Sequence, residues 1–265
     1  MINEESIQNI NGYGDCRGAS SGKTKLLVDE IGYPIGQKAE YVLIAGCFQA
    51  EAMPHVLKAL KNVLDHFKVS YTLLPKEHCC GWMPIGQPAV MSKNDEDIAR
   101  FKEISRGFIR KNVEQAKTLG AKSIALFCGA CEPHYTNMKD EIDLEVISFS
   151  ELIDRYFTGG KLADEIDYYA GCYRFRRKLT DKPVDLDPAM RVMGKIEGLK
   201  INYLENQKCC YIPPHLDQLM DAVKTKSIVN ICTGCYFNLS NRLRDPEGFK
   251  AKMLPEIVWD SLSAH

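Results

Sequence analysis

Short apolar runs alternate with longer segments of helical periodicity along most of the chain. Four runs predict buried strands, and they cover residues 41–45, 123–127, 168–170 and 228–231. Weaker β-prone runs lie at 69–74 and 144–147, and helical spacing of apolar side chains marks 52–67, 95–118 and 148–157. Short strands separated by helices are typical of parallel sheets. The pattern therefore predicts an α/β fold with mainly parallel sheets and helices packed on them.

Cysteine stands where each of the four strong runs stops. These cysteines are Cys47, Cys128 and Cys131 in the first half of the chain, and Cys172, Cys232 and Cys235 in the second. Two adjacent pairs, Cys79–Cys80 and Cys209–Cys210, complete two ordered groups of five among the eleven cysteines. Because ligands of open α/β sheets bind at the C-terminal ends of strands, we expect the cysteine loops to lie there.

The same order of signals occurs twice. Each half has a single cysteine, an adjacent pair and a CxxC motif, separated by 31 and 47 residues in the first half and by 36 and 21 in the second. We therefore predict two tandem related units, with an N-terminal extension at 1–39, a first unit at 40–160 and a second unit at 161–265. Cys16 stands alone in the extension, and we expect it to be a bystander thiol.

Composition argues against two classes of partner. The 34 Lys and Arg residues balance 35 Asp and Glu, so the formal net charge of -1 gives no basic field to attract nucleic acid. No apolar run approaches the roughly 18 residues of a membrane span, and the first residues lack the basic start and apolar core of a secretory signal. We expect a cytoplasmic protein, where clustered cysteine favours metal binding or redox chemistry over disulfides.

The residues leave three interpretations of each cysteine group open. In a disulfide framework, bridges within the adjacent pairs would be strained, because neighbouring Cα atoms lie about 3.8 Å apart. Structural zinc would use four of the five thiolates, and it remains an alternative in one half. An iron–sulfur cluster of the ordinary cubane type also needs four, whereas five thiolates suit a cluster opened out of the cube.

The five-cysteine repeat over residues 40–262 resembles the duplicated cysteine-rich "CCG" domain found in the disulfide-cleaving component of heterodisulfide reductase. Similar domains occur in iron–sulfur proteins of lactate utilisation, glycolate oxidation and anaerobic glycerol-phosphate oxidation. The resemblance implies two [4Fe-4S] clusters of noncubane type as cofactors. The implied ligands of the first are Cys47, Cys79, Cys80, Cys128 and Cys131, and those of the second are Cys172, Cys209, Cys210, Cys232 and Cys235.

The same resemblance implies an oxidoreductase acting on a sulfur group. As a catalytic subunit of a heterodisulfide-reductase-like complex, the chain would cleave or form a disulfide between its two clusters. The substrate would be a small-molecule or protein-bound disulfide or thiol, and iron–sulfur or flavin subunits would supply the electrons. An alternative with the same ligands is a non-catalytic electron-transfer subunit of an anaerobic dehydrogenase or reductase, and a zinc scaffold is a third.

Several residues beside the cysteines are candidates for catalytic roles. His78 and His134 could deliver a proton to a departing thiolate, and Arg174 and Arg176 could pair with an anionic group on the substrate. The Gly/Pro-rich loop 81–86, with Trp82, is expected to cover the first cluster, and a packed surface loop is the alternative. The second motif departs from the family pattern, because Tyr211 stands where glycine follows the pair, so its cluster is expected to differ in shape, type or occupancy.

Overall fold

The computed structural model describes residues 2–171, 187–204, 209–242 and 249–263. Its strands are β1 (Tyr41–Ile44), β2 (Tyr71–Leu73), β3 (Ser123–Leu126), β4 (Glu145–Ser148), β5 (Gly160–Lys161), β6 (Glu165–Tyr169), β7 (Ile196–Glu197), β8 (Lys200–Tyr203), β9 (Ser227–Asn230) and β10 (Lys250–Met253). The strand pairs of the two main sheets include β1 with β2 and β3, and β6 with β8 and β9, all of them parallel. The predicted α/β class with mainly parallel sheets is confirmed.

The helices alternate with these strands along the chain. They are α1 (Glu4–Tyr13), α2 (Lys23–Lys25), α3 (Gln49–Ala52), α4 (Pro54–His66), α5 (Gln87–Met91), α6 (Asp95–Thr118), α7 (Glu132–Thr136), α8 (Phe149–Tyr156), α9 (Asp187–Gly194), α10 (Pro213–Ala222), α11 (Thr233–Arg242) and α12 (Leu254–Ser263). Across the described residues, none of these helices combines the length and the apolar character that crossing a bilayer demands.

The two main sheets share one strand order. The first sheet runs β2-β1-β3-β4, and the second runs β8-β6-β9-β10 when read from its β8 edge. In each sheet the strand that precedes the single cysteine of the repeat is central, and the strand that precedes CxxC lies beside it. The repeat of cysteine motifs along the sequence therefore has a counterpart in the order of strands.

The described residues form two compact units that are not consecutive segments. The first unit contains residues 2–51 and 70–147, and the second contains residues 52–69 and the described part of the chain from 148 onward. Within the second unit, α4 packs on α12 and α8 packs on α9. The boundaries at 39/40 and 160/161 rest on the cysteine repeat and stay a prediction.

Helix α6 supplies much of the core of the first unit. Asn94 caps its N-terminus, because the side chain accepts hydrogen bonds from the backbone N–H groups of Glu96 and Asp97. Its buried face carries Phe101, Ser105, Phe108, Ile109, Asn112, Val113 and Ala116. Burial of each large apolar side chain contributes about 1.5–3 kcal/mol, so this face fixes the helix against the sheet and the cysteine loops.

Two segments are more regular than the sequence predicts. The weak periodicity of the N-terminal arm predicts an irregular extension with a helical turn or two, but the arm contains the ten-residue helix α1. The loop after the first cysteine pair forms a π-helical turn at Trp82–Gly86 that continues into α5. Gly86 permits this turn to pack against Phe101, because a Cβ atom there would lie 2.4 Å from the aromatic ring.

Candidate metal centre

Six buried or half-buried thiols form the first cysteine site. The Sγ atoms of Cys16, Cys47 and Cys79 all lie within 4.8 Å of one another. The Sγ atoms of Cys80 and Cys131 are 3.3 Å apart, and Cys128 accepts a hydrogen bond from the Gln49 amide at 3.1 Å. All six are free thiols, and Cys16 is the one that is half-buried rather than buried. The site therefore contains every cysteine predicted for the first group, together with Cys16.

The end of β1 brings Cys47 to this site through a tight backbone turn. Gly46 has φ of +92°, and a Cβ atom at this position would lie 2.7 Å from Cβ of Cys128. Glycine is therefore required both by the backbone conformation and by the approach of the loop after β3. This close contact places the first cysteine of the repeat beside the first cysteine of CxxC.

A buried ion pair fixes the backbone just before Cys47. The Glu77 carboxylate accepts hydrogen bonds from the backbone N–H groups of Ala45 (2.9 Å) and Gly46 (2.8 Å). Lys23 Nζ lies 2.7 Å from the same carboxylate, and both side chains are buried. Burial alone would lower the pKa of Lys23, but the attraction of Glu77 outweighs it and raises that pKa. Lys23 therefore keeps its charge beside Glu77, and the two side chains hold the strand end in place.

Asn112 of α6 clamps the backbone in front of the adjacent pair. Its side chain accepts from the backbone N–H of His78 (2.7 Å) and donates to the carbonyl of His78 (2.8 Å) and to the hydroxyl of Tyr135 (2.8 Å). Gly81 follows the pair with φ of +76°, and its N–H lies 3.4 Å from Sγ of Cys79. Glycine adopts this positive φ readily, so Gly81 lets the backbone turn directly after the cysteine pair.

Contacts among the thiols perturb their acidity in opposite directions. Hydrogen bonds with Cys47 and Cys79 lower the pKa of Cys16 to about 4, whereas the same type of contact with Cys16 and Cys47 raises the pKa of Cys79. Hydrogen bonds with Cys131 and Cys79, followed by the charge of His134, lower the pKa of Cys80. Cys16 and Cys80 are therefore the thiols that these contacts favour as thiolates, the form that binds metal.

The two candidate histidines lie in different surroundings. Burial lowers the pKa of His78, and its Nδ1 atom lies 3.3 Å from the side-chain oxygen of Asn112. His134 on α7 is buried against Trp82 and Phe101, with ring centroids 5.9 Å and 5.0 Å away. Trp82, expected to cover the first cluster, is itself buried in this aromatic group. The electrostatic influence of His134 also contributes to the lowered pKa of Cys80.

Four residues that shape this site were not among the predicted site residues. Cys16, expected to be a bystander, is instead in contact with two of the predicted ligands. Glu77, Gln49 and Asn112 are ordinary polar residues whose partners lie 23–79 positions away along the chain. Their spacing carries no motif. The one available signal was the position of Glu77, a charged residue directly before the run His78–Cys79–Cys80.

The second cysteine site repeats part of this arrangement. Gly171, at the end of β6, has φ of +88°, and a Cβ atom there would lie 3.0 Å from Cβ of Cys232 and 3.2 Å from Sγ of Cys235. Hydrogen bonds with Cys210 and Cys232 raise the pKa of Cys235. The structure therefore brings Cys210, Cys232 and Cys235 together beside the glycine that corresponds to Gly46.

The backbone after the second pair differs from the first. Among the described residues, positive φ outside glycine occurs at Lys68 and Lys93, so Tyr211 does not repeat the conformation of Gly81. Its hydroxyl donates to the carbonyl of Gly234 at 3.0 Å, and Cys209 is half-buried. This is the position where the sequence departs from the family pattern.

Three of the predicted site residues cannot be placed. Cys172, Arg174 and Arg176 lie outside the described residues. The predicted ligand set of the second site and the predicted substrate-binding arginines therefore stay predictions.

The donor set of the first site fits a thiophilic metal centre. Six thiols converge in a buried region, and a side chain at position 46 would clash with Cys128. Soft thiolate ligands select iron–sulfur clusters, zinc or copper(I) over hard cations. The six convergent thiols can therefore supply the ligands of such a centre.

Comparison with known proteins agrees with this picture at the level of the domain. Residues 41–134 match the family described as "CCG: Cysteine-rich domain". A search of curated protein sequences finds no match. The segment 41–134 contains the five predicted ligands of the first site but not Cys16.

A solved structure shows a similar fold. A hypothetical protein from Helicobacter pylori superposes with a TM-score of 0.54 at 14% identity, covering 87% of this chain and 50% of that protein. This chain thus spans about half the length of the Helicobacter pylori protein. An aspartate racemase homologue from Pyrococcus horikoshii gives a TM-score of 0.31 at 11% identity, covering 84% and 96% of the two chains. The first cysteine site accordingly lies in an α/β unit that matches the cysteine-rich CCG domain family, with Cys16 supplied from outside the matched segment.

Proposed function

We propose that this protein is the iron–sulfur subunit of a heterodisulfide-reductase-like complex that cleaves or forms a disulfide. The observation that carries the proposal is the convergence of Cys47, Cys79, Cys80, Cys128 and Cys131 in one buried site inside a segment matching the CCG domain. Five thiolates exceed what a tetrahedral zinc or an ordinary cubane requires. The proposed cofactors are two [4Fe-4S] clusters of noncubane type, one in each unit.

The residues of the chain hold and surround the centre. When bound, the clusters would supply the electrons and the iron sites for sulfur chemistry. Glu77 and Lys23 fix the turn that carries Cys47, and Asn112 fixes the backbone before Cys79. His134, enclosed by aromatic rings, is the group proposed to hold a proton for a departing thiolate.

The proposed source of electrons is a partner protein. The two groups account for ten of the eleven cysteines, and Cys16 lies with the first group, so no further cysteine set remains for a separate cubane relay. The proposed partners are therefore iron–sulfur or flavin proteins, and the proposed substrate is a small-molecule or protein-bound disulfide or thiol. The metal centre would bind the substrate through a sulfur atom, because soft ligands prefer soft metals.

Anaerobic turnover tests the catalytic proposal. Reduced viologen serves as the electron donor, and a panel of symmetric and mixed disulfides serves as substrates for the anaerobically purified protein. We expect oxidation of the viologen that depends on disulfide, with loss of turnover in Cys80→Ser. A protein whose clusters are reduced by viologen but which cleaves no disulfide would refute catalysis.

That refuting result would favour the second candidate, a non-catalytic electron-transfer subunit. The specific observation in its favour is Cys16, because a sixth thiol at the first site competes with any outside sulfur ligand. Potentiometric titration separates the two functions. An electron-transfer subunit would show midpoint potentials that do not respond to added thiol, whereas a catalytic one would show potentials that shift with thiol.

A further inference from the structure

Cys16 lies at the first site although it belongs to neither group of five. Its Sγ atom is within 4.8 Å of those of Cys47 and Cys79, and its side chain is half-buried. A buried cysteine often serves only as a small apolar side chain. Packing alone does not account for three free thiols at this separation, since apolar contact would be equally satisfied with the sulfur atoms apart.

Two separate sets of contacts hold Cys16 against its neighbours. The first set is made by the turn at Gly14, whose carbonyl accepts a hydrogen bond from the backbone N–H of Cys79 at 2.7 Å. Gly14 has φ of +80°, and a Cβ atom there would lie 2.6 Å from the carbonyl oxygen of Glu77. Only glycine permits this contact, so the arm is fitted closely to the segment that carries Cys79.

The second set of contacts is made by Arg17, the residue after Cys16. Its guanidinium donates to the carbonyl of Cys47 at 2.6 Å and to the Asp15 carboxylate at 2.9 Å. It also donates to the hydroxyl of Ser21 at 3.0 Å, and it lies 5.0 Å from the ring of Phe48. Because Asp15 is buried, these contacts form an ordered hydrogen-bond network rather than a surface ion pair. Arg17 therefore ties the arm to the backbone of Cys47 itself.

These contacts hold the Cys16 sulfur close to two predicted ligands, Cys47 and Cys79. We propose that Cys16 is a further thiolate ligand of the first metal centre, donated by the N-terminal arm. The inference rests on the proposed iron–sulfur function of that site. On binding, the Cys16 thiol releases its proton to solvent and one sulfur–metal bond forms, with no change in the oxidation state of sulfur or metal.

The consequence is that the arm regulates access of outside sulfur to the first centre. A substrate thiolate competes with Cys16 for the metal, so the first centre accepts substrate less readily than a centre with five protein thiolates. The sequence holds eleven cysteines, so the second group of five has no sixth cysteine of its own to match Cys16. The two centres should therefore differ in their response to thiols.

Comparison of Cys16→Ser with Ala19→Ser tests this role. Ala19 lies in the same segment but is exposed, so its variant controls for a changed loop. In anaerobically purified protein with its iron, we expect Cys16→Ser to change the electron paramagnetic resonance spectrum of one centre. A small thiol such as 2-mercaptoethanol should then perturb that spectrum at roughly tenfold lower concentration than in the native protein. Ala19→Ser should behave as the native protein does. Identical spectra and thiol responses for Cys16→Ser and the native protein would overturn the proposal.

A second measurement needs no variant and no turnover. Iodoacetamide labels accessible thiolates, and peptide mass spectrometry reports the rate at Cys16 in metal-free and metal-loaded protein. We expect loading to slow labelling of Cys16 by about tenfold or more, because a metal-bound thiolate is a poor nucleophile. Equal rates would overturn the proposal.

Cobalt(II) binding distinguishes failure of the proposed iron–sulfur function from failure of the ligand role of Cys16. If the purified protein binds neither iron nor sulfide, the proposed function fails. Cobalt(II) added to that protein still reports on Cys16, because loss of one thiolate weakens the sulfur-to-cobalt charge-transfer absorption. Unchanged absorption in Cys16→Ser would overturn the ligand role independently of the iron–sulfur question.

Discussion

Replacing Glu77 by glutamine should destabilise the protein and loosen the loop that carries Cys47. In the native structure the Glu77 carboxylate accepts two backbone N–H groups and pairs with Lys23, and all of these groups are buried. Glutamine has the same shape but keeps only one acceptor oxygen. One N–H therefore loses its partner, and the ammonium of Lys23 loses its counterion.

The expected magnitude follows from these lost contacts. An uncompensated charge left by breaking a buried ion pair costs about 3–5 kcal/mol, and an unsatisfied buried N–H costs about 1–3 kcal/mol. The two costs overlap, since the same site relaxes, so we expect the free energy of unfolding to fall by about 4 kcal/mol. Glu51→Gln is a matched control, because Glu51 pairs with Arg17 while 44% of its side chain is exposed. That change should cost less than about 1 kcal/mol.

Urea titration followed by far-ultraviolet circular dichroism measures both variants under anaerobic, reducing conditions. The double variant Lys23→Met with Glu77→Gln should recover about 2 kcal/mol of the loss, because the unpaired ammonium is removed. Equal stabilities of Glu77→Gln and Glu51→Gln within about 1 kcal/mol would refute the argument that the buried pair fixes the strand end.

Three further predictions concern single residues. Gly46→Ala should lower the iron content of the purified protein by about half or more, because the added Cβ atom would clash with Cys128. Gly120 also has a positive φ, at +74°, but the space around it is open, so Gly120→Ala should leave the iron content unchanged. Asp167→Ala should lower the free energy of unfolding by about 2–4 kcal/mol in urea titration, because this carboxylate accepts the backbone N–H groups of residues 224 and 225. Burial raises the pKa of Glu256 to about 7, so the folded state holds this proton more tightly and stability should fall by roughly 3 kcal/mol as pH rises from about 4.5 through 7. Glu256→Gln should remove this part of the pH dependence, and an unchanged dependence would contradict the assignment.

Local patterns predicted the parts of the fold that depend on local forces. Helix α6 occupies the predicted residues 95–118, because its amphipathic spacing and the Asn94 cap both act within a few residues. The cysteine loops follow parallel strands as predicted, since the apolar runs stop where the chain leaves the sheet. The strand predicted at 69–74 is shorter, covering Tyr71–Leu73.

The features that sequence analysis missed depend on contacts between distant residues. The position of Cys16 follows from Gly14 meeting Cys79 and from Arg17 meeting Cys47, and neither contact leaves a periodic pattern. Helix α4 stands between two strands of the first sheet in the sequence, yet it packs on α12 of the second unit. Glycines with positive φ before Cys47 and Cys172 were visible signals, because glycine directly before each cysteine matches a tight strand exit.

Metal and sulfide analysis of the anaerobically purified protein tests the central claim most directly. Inductively coupled plasma mass spectrometry gives iron and zinc per chain, and acid-labile sulfide is measured on the same sample. Two four-iron clusters predict about eight iron and about eight sulfide per chain, with a marked loss of both in Cys80→Ser. Stoichiometric zinc without sulfide, or iron content unaffected by Cys80→Ser, would contradict the claim that these converging thiols hold an iron–sulfur centre.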